Sequence, residues 1–358
     1  MTLARERAAG RPLVLVASPF EEALVEQAQA VAGDRAEIVH RPDLLPPMRY
    51  AADHDGEQGW ARTPERQAEW DALLASADAL LGLPREAETA GSLEAVCPRV
   101  RWVQGTSAGM GQTVRRLGMD GTDVIVTTAS GVHAGPLAEF VFAVLLGRAK
   151  RLDDLATWQA ERRWQRFTGD ELAGKTLAIV GPGRIGSRIA RVARAFDMQV
   201  WALGRRYDPA REAELGLDRL FPAEGLHEML AGADFVVLIA PHTGETEELI
   251  GRAEIAAMRT GATLINIGRG AVVDEVAMLD ALRSGHIGFA ALDVFREEPL
   301  PVDSPLWALP NVLISPHCSA NAPTENARIT EILVHNLDRF LDGRLDEMTP
   351  VLDKRRLY

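Results

Sequence analysis

The chain of 358 residues carries 39 Lys+Arg against 51 Asp+Glu, a formal net charge of −12. At roughly 150 residues per domain there is room for about two domains, and 47% hydrophobic with 25% charged residues excludes a largely disordered chain. The acidic balance argues against nucleic acid or an anionic membrane as the main partner. Two cysteines, Cys97 and Cys318, without a CxxC pair, exclude a disulfide framework and a structural zinc site. They read as buried or semi-buried thiols in a reducing compartment, and no metal is expected.

Met1–Gly10 is polar and of mixed charge, and the apolar run behind it, Leu13–Ala17, is too short for a signal sequence. With no apolar stretch near ~18 residues, a cytoplasmic protein is expected. Leu13–Ala17 reads instead as a strand. It is followed by similar runs at Ala36–His40, Ala79–Leu83, Val100–Gln104 and Val124–Thr127, with amphipathic stretches at Glu21–Val31 and Glu65–Ser76. Pro46–Trp60 is polar and irregular and reads as a surface insertion. A long helical pattern starts near Gly135-Pro136 and runs over Leu137–Lys150, with Pro136 suited to the first turn. The segment Arg151–Gly174, with Trp158, Trp164 and Phe167 among charges, reads as a cap or an interface. Six more apolar runs follow: Thr176–Gly181, Gln199–Gly204, Asp234–Ala240, Ala262–Ile267, Gly288–Val294 and Val312–Ser315. They are continuous rather than alternating, as parallel strands buried on both faces are. Two sets of alternating strands and helices imply an α/β chain with two doubly wound parallel sheets. Glu325–Leu341 is an amphipathic helix long enough to return to the first sheet.

The strongest local signal is Gly181-Pro182-Gly183-Arg184-Ile185-Gly186, ending one strand and opening the helical pattern Ile185–Phe196 inside a βαβ unit. That is the context a dinucleotide fingerprint demands. Gly181 suits a tight turn, Gly183 a close approach to pyrophosphate and Gly186 close helix–strand packing, with helix N–H groups facing the phosphates. After the next strand, where a carboxylate would hold the ribose of NAD, stand Gly204, Arg205 and Arg206. Two guanidiniums suit a 2′-phosphate, so NADP is the preferred cofactor, with NAD possible. Downstream, Arg269, the Asp293-to-Glu298 segment and His317 each follow a predicted strand's carboxyl end, where doubly wound sheets bind ligands. An arginine, a carboxylate and a histidine there match an anchor, an orienter and an acid/base group.

The chain resembles the D-isomer-specific 2-hydroxyacid dehydrogenase family over nearly its whole length. The resemblance rests on LAIVGPGRIGSRIA, LIAPHTGETEELI, LINIGRGAVVDEVAMLDALRSGHIGFAALDVFREEPLP, SPLWALPNVLISPHCSA, TSAG and SGVHAGPLAEFVFAVLL. It implies a Rossmann nucleotide domain, residues 130–318, inserted into a flavodoxin-like substrate domain made of residues 1–129 and 319–358. It implies Arg269, Glu298 and His317 as the catalytic set, and Ser107, Ala108 and Gly109 with Arg269 and His317 around the substrate. The implied cofactor contacts are Gly181, Gly183, Arg184, Ile185, Gly186, Gly204, Arg205, Arg206, Ala240, Pro241, Thr246, Ile267, Gly268, Arg269, Asp293, His317, Ser319 and Ala320.

The expected reaction is reduction of a small 2-oxo acid, glyoxylate or hydroxypyruvate first, to a D-2-hydroxy acid, with His317 as proton donor and Glu298 as its partner. The 2-oxo acid is expected in a cleft between the domains, whose closure excludes water. Two other readings are a formate or phosphite dehydrogenase-like enzyme and a dinucleotide-sensing corepressor-like binding protein. Gly204, the Pro46–Trp60 insertion and the Gly109–Gln112 stretch depart from the family's usual pattern. A further C-terminal regulatory domain is not expected, which weighs against the larger phosphoglycerate dehydrogenases. A homodimer is expected through Arg151–Gly174 and the apolar face of Pro136–Lys150, with Phe140, Val141, Val144 and Leu145.

Overall fold

A computed structural model describes residues 10–358, so the reading of the N-terminal stretch falls outside the described residues except at Gly10. The chain divides into two compact units. One comprises residues up to His133 together with Asn321–Tyr358, and the other is Ala134–Ala320. The expected boundaries lay at 129/130 and 318/319, a few residues earlier at each crossing. No helix among the described residues is long and apolar enough to cross a membrane.

The first unit holds five parallel strands, β1 Leu13–Val16, β2 Glu37–Val39, β3 Ala79–Leu81, β4 Trp102–Gln104 and β5 Ile125–Thr127, in the order β2-β1-β3-β4-β5. This is the flavodoxin-like order, with its reversal between β1 and β3. The central strands are covered on both faces: β1 and β3 are buried throughout. The Glu325–Leu341 helix returns to this unit. Its Ile329, Leu333, Leu337 and Phe340, spaced three or four residues apart, pack with Val14, Leu81 and Trp102. Burial of each such side chain stabilises by ~1.5–3 kcal/mol. The chain end then runs along β5, where the Thr128 N–H donates to Pro350 O and the Leu352 N–H to Val126 O.

The second unit holds seven parallel strands, β6 Thr176–Val180, β7 Gln199–Leu203, β8 Arg219–Phe221, β9 Phe235–Leu238, β10 Ala262–Asn266, β11 Ile287–Leu292 and β12 Val312–Ile314. Their order, β12-β11-β10-β9-β6-β7-β8, is the doubly wound nucleotide-binding order with a seventh strand added at one edge. The reversal lies between β6 and β9.

Several expectations need correction. The strand β8 was not anticipated, because three residues, Arg219-Leu220-Phe221, give too short an apolar signal. Segment 151–174 contains a helix, Leu152–Ala160. Cys97 is buried, but Cys318 is exposed rather than semi-buried. The helix Ala134–Ala149 does not keep its apolar face free. Val141, Val144 and Leu145 are buried in the second unit's own core, and Phe140 packs against it. That face is spent on folding, because the helix lies on the sheet beside Arg184–Ala195.

Candidate active site

At the β6/β9 reversal, the turn after β6 is shaped by close backbone approach. Gly181 has φ +102°, and a Cβ there would stand 2.9 Å from the Ala240 backbone nitrogen, so both conformation and space require glycine. Gly183 caps the helix Arg184–Ala195. The N–H groups of Arg184, Ile185 and Gly186 in its first turn have no acceptor within the helix, which makes this end an anion site. Beside it, Ala240 and Pro241 follow β9. Thr246 holds that loop by donating its hydroxyl to Pro241 O at 2.6 Å and accepting the Thr243 N–H at 2.8 Å.

After β7, the Gly204 N–H donates to Phe221 O at 2.8 Å. Arg205 and Arg206 are exposed, and Arg205 Nε lies 3.9 Å from Glu245 Oε2. Residues here fit a dinucleotide on a further count. Ser319 Oγ is buried and meets no hydrogen-bonding partner among the described residues.

After β10, Ile267 and Gly268 lead to Arg269. Asn266, buried beneath this turn, ties it together: its Oδ1 accepts the Gly268 N–H and its Nδ2 donates to Arg269 O, both at 3.1 Å. Gly270 follows, and a Cβ on it would fall 2.1 Å from Phe295 O. Only glycine lets the Arg269 turn lie against the loop that carries Glu298. Arg269 is half-buried, with Nη1 2.7 Å from Gly268 O. Burial pushes its pKa down, while the charge of Glu298 works the other way.

Glu298 receives two donors. Its Oε1 accepts the Phe295 N–H at 2.9 Å, and its Oε2 lies 2.7 Å from His317 Nδ1. Burial would raise its pKa, but these bonds and the neighbouring positive charges hold it below the usual carboxylate range. His317 is shifted the other way. The bond to Glu298 raises its pKa above the ordinary imidazole value, against burial and the repulsion of Arg269. With Nδ1 so engaged, Nε2 is the ring nitrogen that faces away from Glu298.

The backbone of His317 has φ +53°, an uncommon conformation for a side chain with Cβ. Asp293 holds it there. Its carbonyl accepts the His317 N–H at 2.9 Å, and its buried carboxylate Oδ1 accepts Ser315 Oγ at 2.5 Å and the N–H groups of Cys318 and Ser319 at 3.0 Å. The family resemblance implies a cofactor contact for Asp293 but not this work as a loop clamp, and Ser315 was not singled out. The only sequence signal is that both end adjacent strands, β11 and β12. Ala320 packs against the second unit's core.

In the first unit, Ser107, Ala108 and Gly109 form a turn after β4. Ser107 Oγ accepts the Gly109 N–H at 3.2 Å, and Ser107 O accepts the Ala129 N–H at 3.1 Å. Among the described residues, no cluster of three or more His, Cys, Asp or Glu side chains is placed to hold a metal ion.

Comparison with known proteins agrees with this geometry. A family model described as the NAD binding domain of D-isomer specific 2-hydroxyacid dehydrogenases matches residues 142–319. A glyoxylate reductase of Aeropyrum pernix is 36% identical over 261 residues, covering 69% of this chain and 75% of its own. A glyoxylate/hydroxypyruvate reductase B of Citrobacter koseri is 36% identical over 290 residues, covering 79% and 87%. Among solved structures, a D-isomer specific 2-hydroxyacid dehydrogenase from Xanthobacter autotrophicus, in complex with NADPH and MES, superposes with a TM-score of 0.74 at 28% identity, covering 98% of this chain and 100% of that one. A glycine turn at a strand-order reversal, a histidine oriented by a carboxylate and relatives of this similarity along most of the chain lead to one conclusion: the chain belongs to the D-isomer specific 2-hydroxyacid dehydrogenases, NAD(P)-dependent oxidoreductases.

Proposed function

We propose that this protein reduces small 2-oxo acids, glyoxylate and hydroxypyruvate foremost, to D-2-hydroxy acids, with NADPH preferred over NADH and His317 as the proton donor. The observation that carries this reading is the 2.7 Å contact between His317 Nδ1 and Glu298 Oε2. It fixes the ring and favours its charged form, so that Nε2 holds a proton ready for the alkoxide that develops at the substrate carbonyl. A bound reduced nicotinamide supplies hydride. Arg269 binds the substrate carboxylate and polarises the carbonyl. The turn Ser107–Gly109 offers backbone amides to the same carboxylate. In the oxidative direction, neutral His317 takes the proton.

Gly181–Gly186 would hold the dinucleotide pyrophosphate and Arg205 and Arg206 its 2′-phosphate, and Ser319 Oγ would gain the partner it lacks among the described residues. The relatives named glyoxylate reductase and glyoxylate/hydroxypyruvate reductase support the substrate, and the neighbour solved with NADPH supports the cofactor. Assembly as a homodimer through the 151–174 arm belongs to the same reading. It is supported by Trp164, 91% exposed, and by the exposed Leu152 and Leu155. So does a cytoplasmic location, with neither nucleic acid nor membrane as partner.

The test is NADPH oxidation by the purified protein with glyoxylate or hydroxypyruvate. Turnover is expected with both, and absence of turnover with either would overturn the substrate assignment. His317→Ala is expected to lower kcat by ~10²–10⁴-fold, the usual contribution of positioned proton transfer, with NADPH affinity retained. Near-normal turnover in that variant would remove His317 from the role.

A further inference from the structure

In the first unit, β4 and β5 lie side by side in parallel register, and their last residues, Gln104 and Thr127, are register partners. Side chains alternate along a strand. Gln104 and Thr127 therefore share a face with Trp102, the face on which the Glu325–Leu341 helix lies. Asn336 stands on that helix between Leu333 and Leu337, which pack against the sheet. Gln104, Thr127 and Asn336 are wholly buried. Polar side chains in an apolar layer are costly unless paired, and none of their side-chain nitrogen and oxygen atoms lacks a partner.

The directions of these bonds are set by two groups that can only donate. The Trp102 indole N–H donates to Thr127 Oγ1 at 2.8 Å. The Thr127 hydroxyl keeps one hydrogen to give, and Gln104 Oε1 accepts it at 2.7 Å, ahead of Val103 O at 3.4 Å. At the other end, the Thr349 N–H donates to Asn336 Oδ1 at 2.8 Å. That turns Asn336 Nδ2 toward Gln104 Oε1, to which it donates at 3.1 Å. With two donors on its oxygen, the Gln104 amide has one orientation left, and its Nε2 donates to Gly105 O at 3.0 Å. Gly105 leads into the Ser107–Gly109 turn. The C=O and N–H of a trans peptide point opposite ways, so anchoring Gly105 O on Gln104 directs the Thr106 N–H away from the network. That N–H meets no acceptor among the described residues.

We propose that Gln104 is a positioning residue for the substrate carboxylate. It sets the peptide plane from which the Ser107–Gly109 turn starts, and Thr127 and Asn336 set Gln104. The returning helix, whose Asn336 lies 232 residues further along the chain, thereby acts on the turn through one buried amide. The proposal rests on the reading that Ser107–Gly109 offers its amides to the substrate carboxylate. Methionine or leucine would fill the same layer, but neither would orient the Gly105 peptide. The network itself is uncharged, so it aims the turn without placing a buried charge behind it.

The experiment uses Gln104→Met, which keeps the volume and removes the amide, with Thr127→Val and Thr127→Ser, which remove and keep the hydroxyl. An interaction lost equally from ground and transition states raises KM and leaves kcat. Gln104→Met is expected to raise the KM for glyoxylate by about three- to tenfold, the equivalent of one net hydrogen bond, with kcat and the KM for NADPH unchanged. Thr127→Val is expected to show a smaller rise, and Thr127→Ser to stay near the unmodified protein. Should Gln104→Met fail to fold, the Thr127 pair decides alone. A network that only holds the fold together would lower the denaturation midpoint and leave the glyoxylate KM as it was. That result, or equal rises in the two Thr127 variants, would overturn the proposal. Hydrogen exchange over residues 105–109, measured without substrate, is expected to quicken in Gln104→Met and Thr127→Val more than elsewhere in the first unit. If the unmodified protein turns over no 2-oxo acid, the proposed reaction fails by itself. Quickened exchange confined to 105–109 would then still support the hold of Gln104 on the turn, and unchanged exchange would overturn it.

Discussion

His317 Nδ1 and Glu298 Oε2 stand 2.7 Å apart, and the other oxygen of the same carboxylate is held by the Phe295 N–H. The backbone thus aims the carboxylate, and the carboxylate aims the ring. Because Glu298 raises the His317 pKa, a reduction that needs imidazolium loses activity as pH rises through that raised value. Glu298→Gln removes the negative partner, so this alkaline limb is expected to move to lower pH. A pH profile of kcat/KM for glyoxylate reduction checks it, and an unmoved limb would dissociate the pair from proton transfer.

Asp293 is expected to matter for stability before chemistry. Its removal by Asp293→Ala strands the Cys318 and Ser319 N–H groups and the Ser315 hydroxyl around a buried site. An unsatisfied buried donor costs about 1–3 kcal/mol; the left-handed His317 backbone keeps its bond to the residue 293 carbonyl but loses the carboxylate part of its clamp. Chemical denaturation is expected to show a loss of ~2 kcal/mol or more. Asp293→Asn keeps an acceptor oxygen and is expected to lose less. Equal losses in the two variants would contradict the clamp.

The unmodified protein is expected to show a higher kcat/KM with NADPH than with NADH, by roughly ten- to hundredfold if one charge-assisted contact to the 2′-phosphate forms. Substituting Arg205 and Arg206 together by Ala should erase most of that difference through KM for NADPH. Since both side chains are exposed, added salt should weaken the preference. Equal efficiency with the two cofactors would refute the assignment.

Within the first unit, Glu325 lies 3.1 Å from His133 Nε2 and 3.4 Å from His54 Nε2. Burial would raise its pKa, but the two histidines outweigh it and hold the value at about 2. A carboxylate depressed in the folded state contributes stability above its unfolded pKa, near 4.5, and loses it as pH falls toward 2. Glu325→Gln is therefore expected to lower stability at pH 6 by an amount on the order of 3 kcal/mol and to flatten the acid limb of unfolding. Denaturant titrations at pH 3 and pH 6 measure both effects.

Light scattering at micromolar concentration is expected to report twice the mass of one chain. Trp164→Ala, which removes the most exposed tryptophan in the 151–174 arm, should shift the equilibrium toward monomer. A monomeric unmodified protein would remove the arm from this role.

The two sheets were legible because parallel strands buried on both faces leave continuous apolar runs, and Glu325–Leu341 because its apolar residues recur at helical spacing. The turns after β6, β10 and β12 were legible because each is a compact motif. What stayed hidden has a common physical origin. β8 and the helices Arg85–Ala90 and Gly111–Arg116 are shorter than the window in which periodicity rises above noise. Val141, Val144 and Leu145 look the same in sequence whether they cover the chain's own core or a partner. The convergence of His54 and His133 on Glu325, and of Ser315, Cys318 and Ser319 on Asp293, joins residues whose spacing carries no periodic mark.

The Glu325–Leu341 helix covers Val14, Leu81 and Trp102, so the hydrophobic face of the first-made unit is completed by the last-made helix. Roughly 240 residues separate Trp102 from Phe340, and at about 5–20 residues per second a ribosome takes on the order of 10–50 s to cross that interval. The nucleotide-binding sheet is finished on the way, while Trp102 still waits for its cover. During synthesis the protein is thus expected to pass through a stage with one completed unit and one open apolar face, the stage at which a holding chaperone has most to bind.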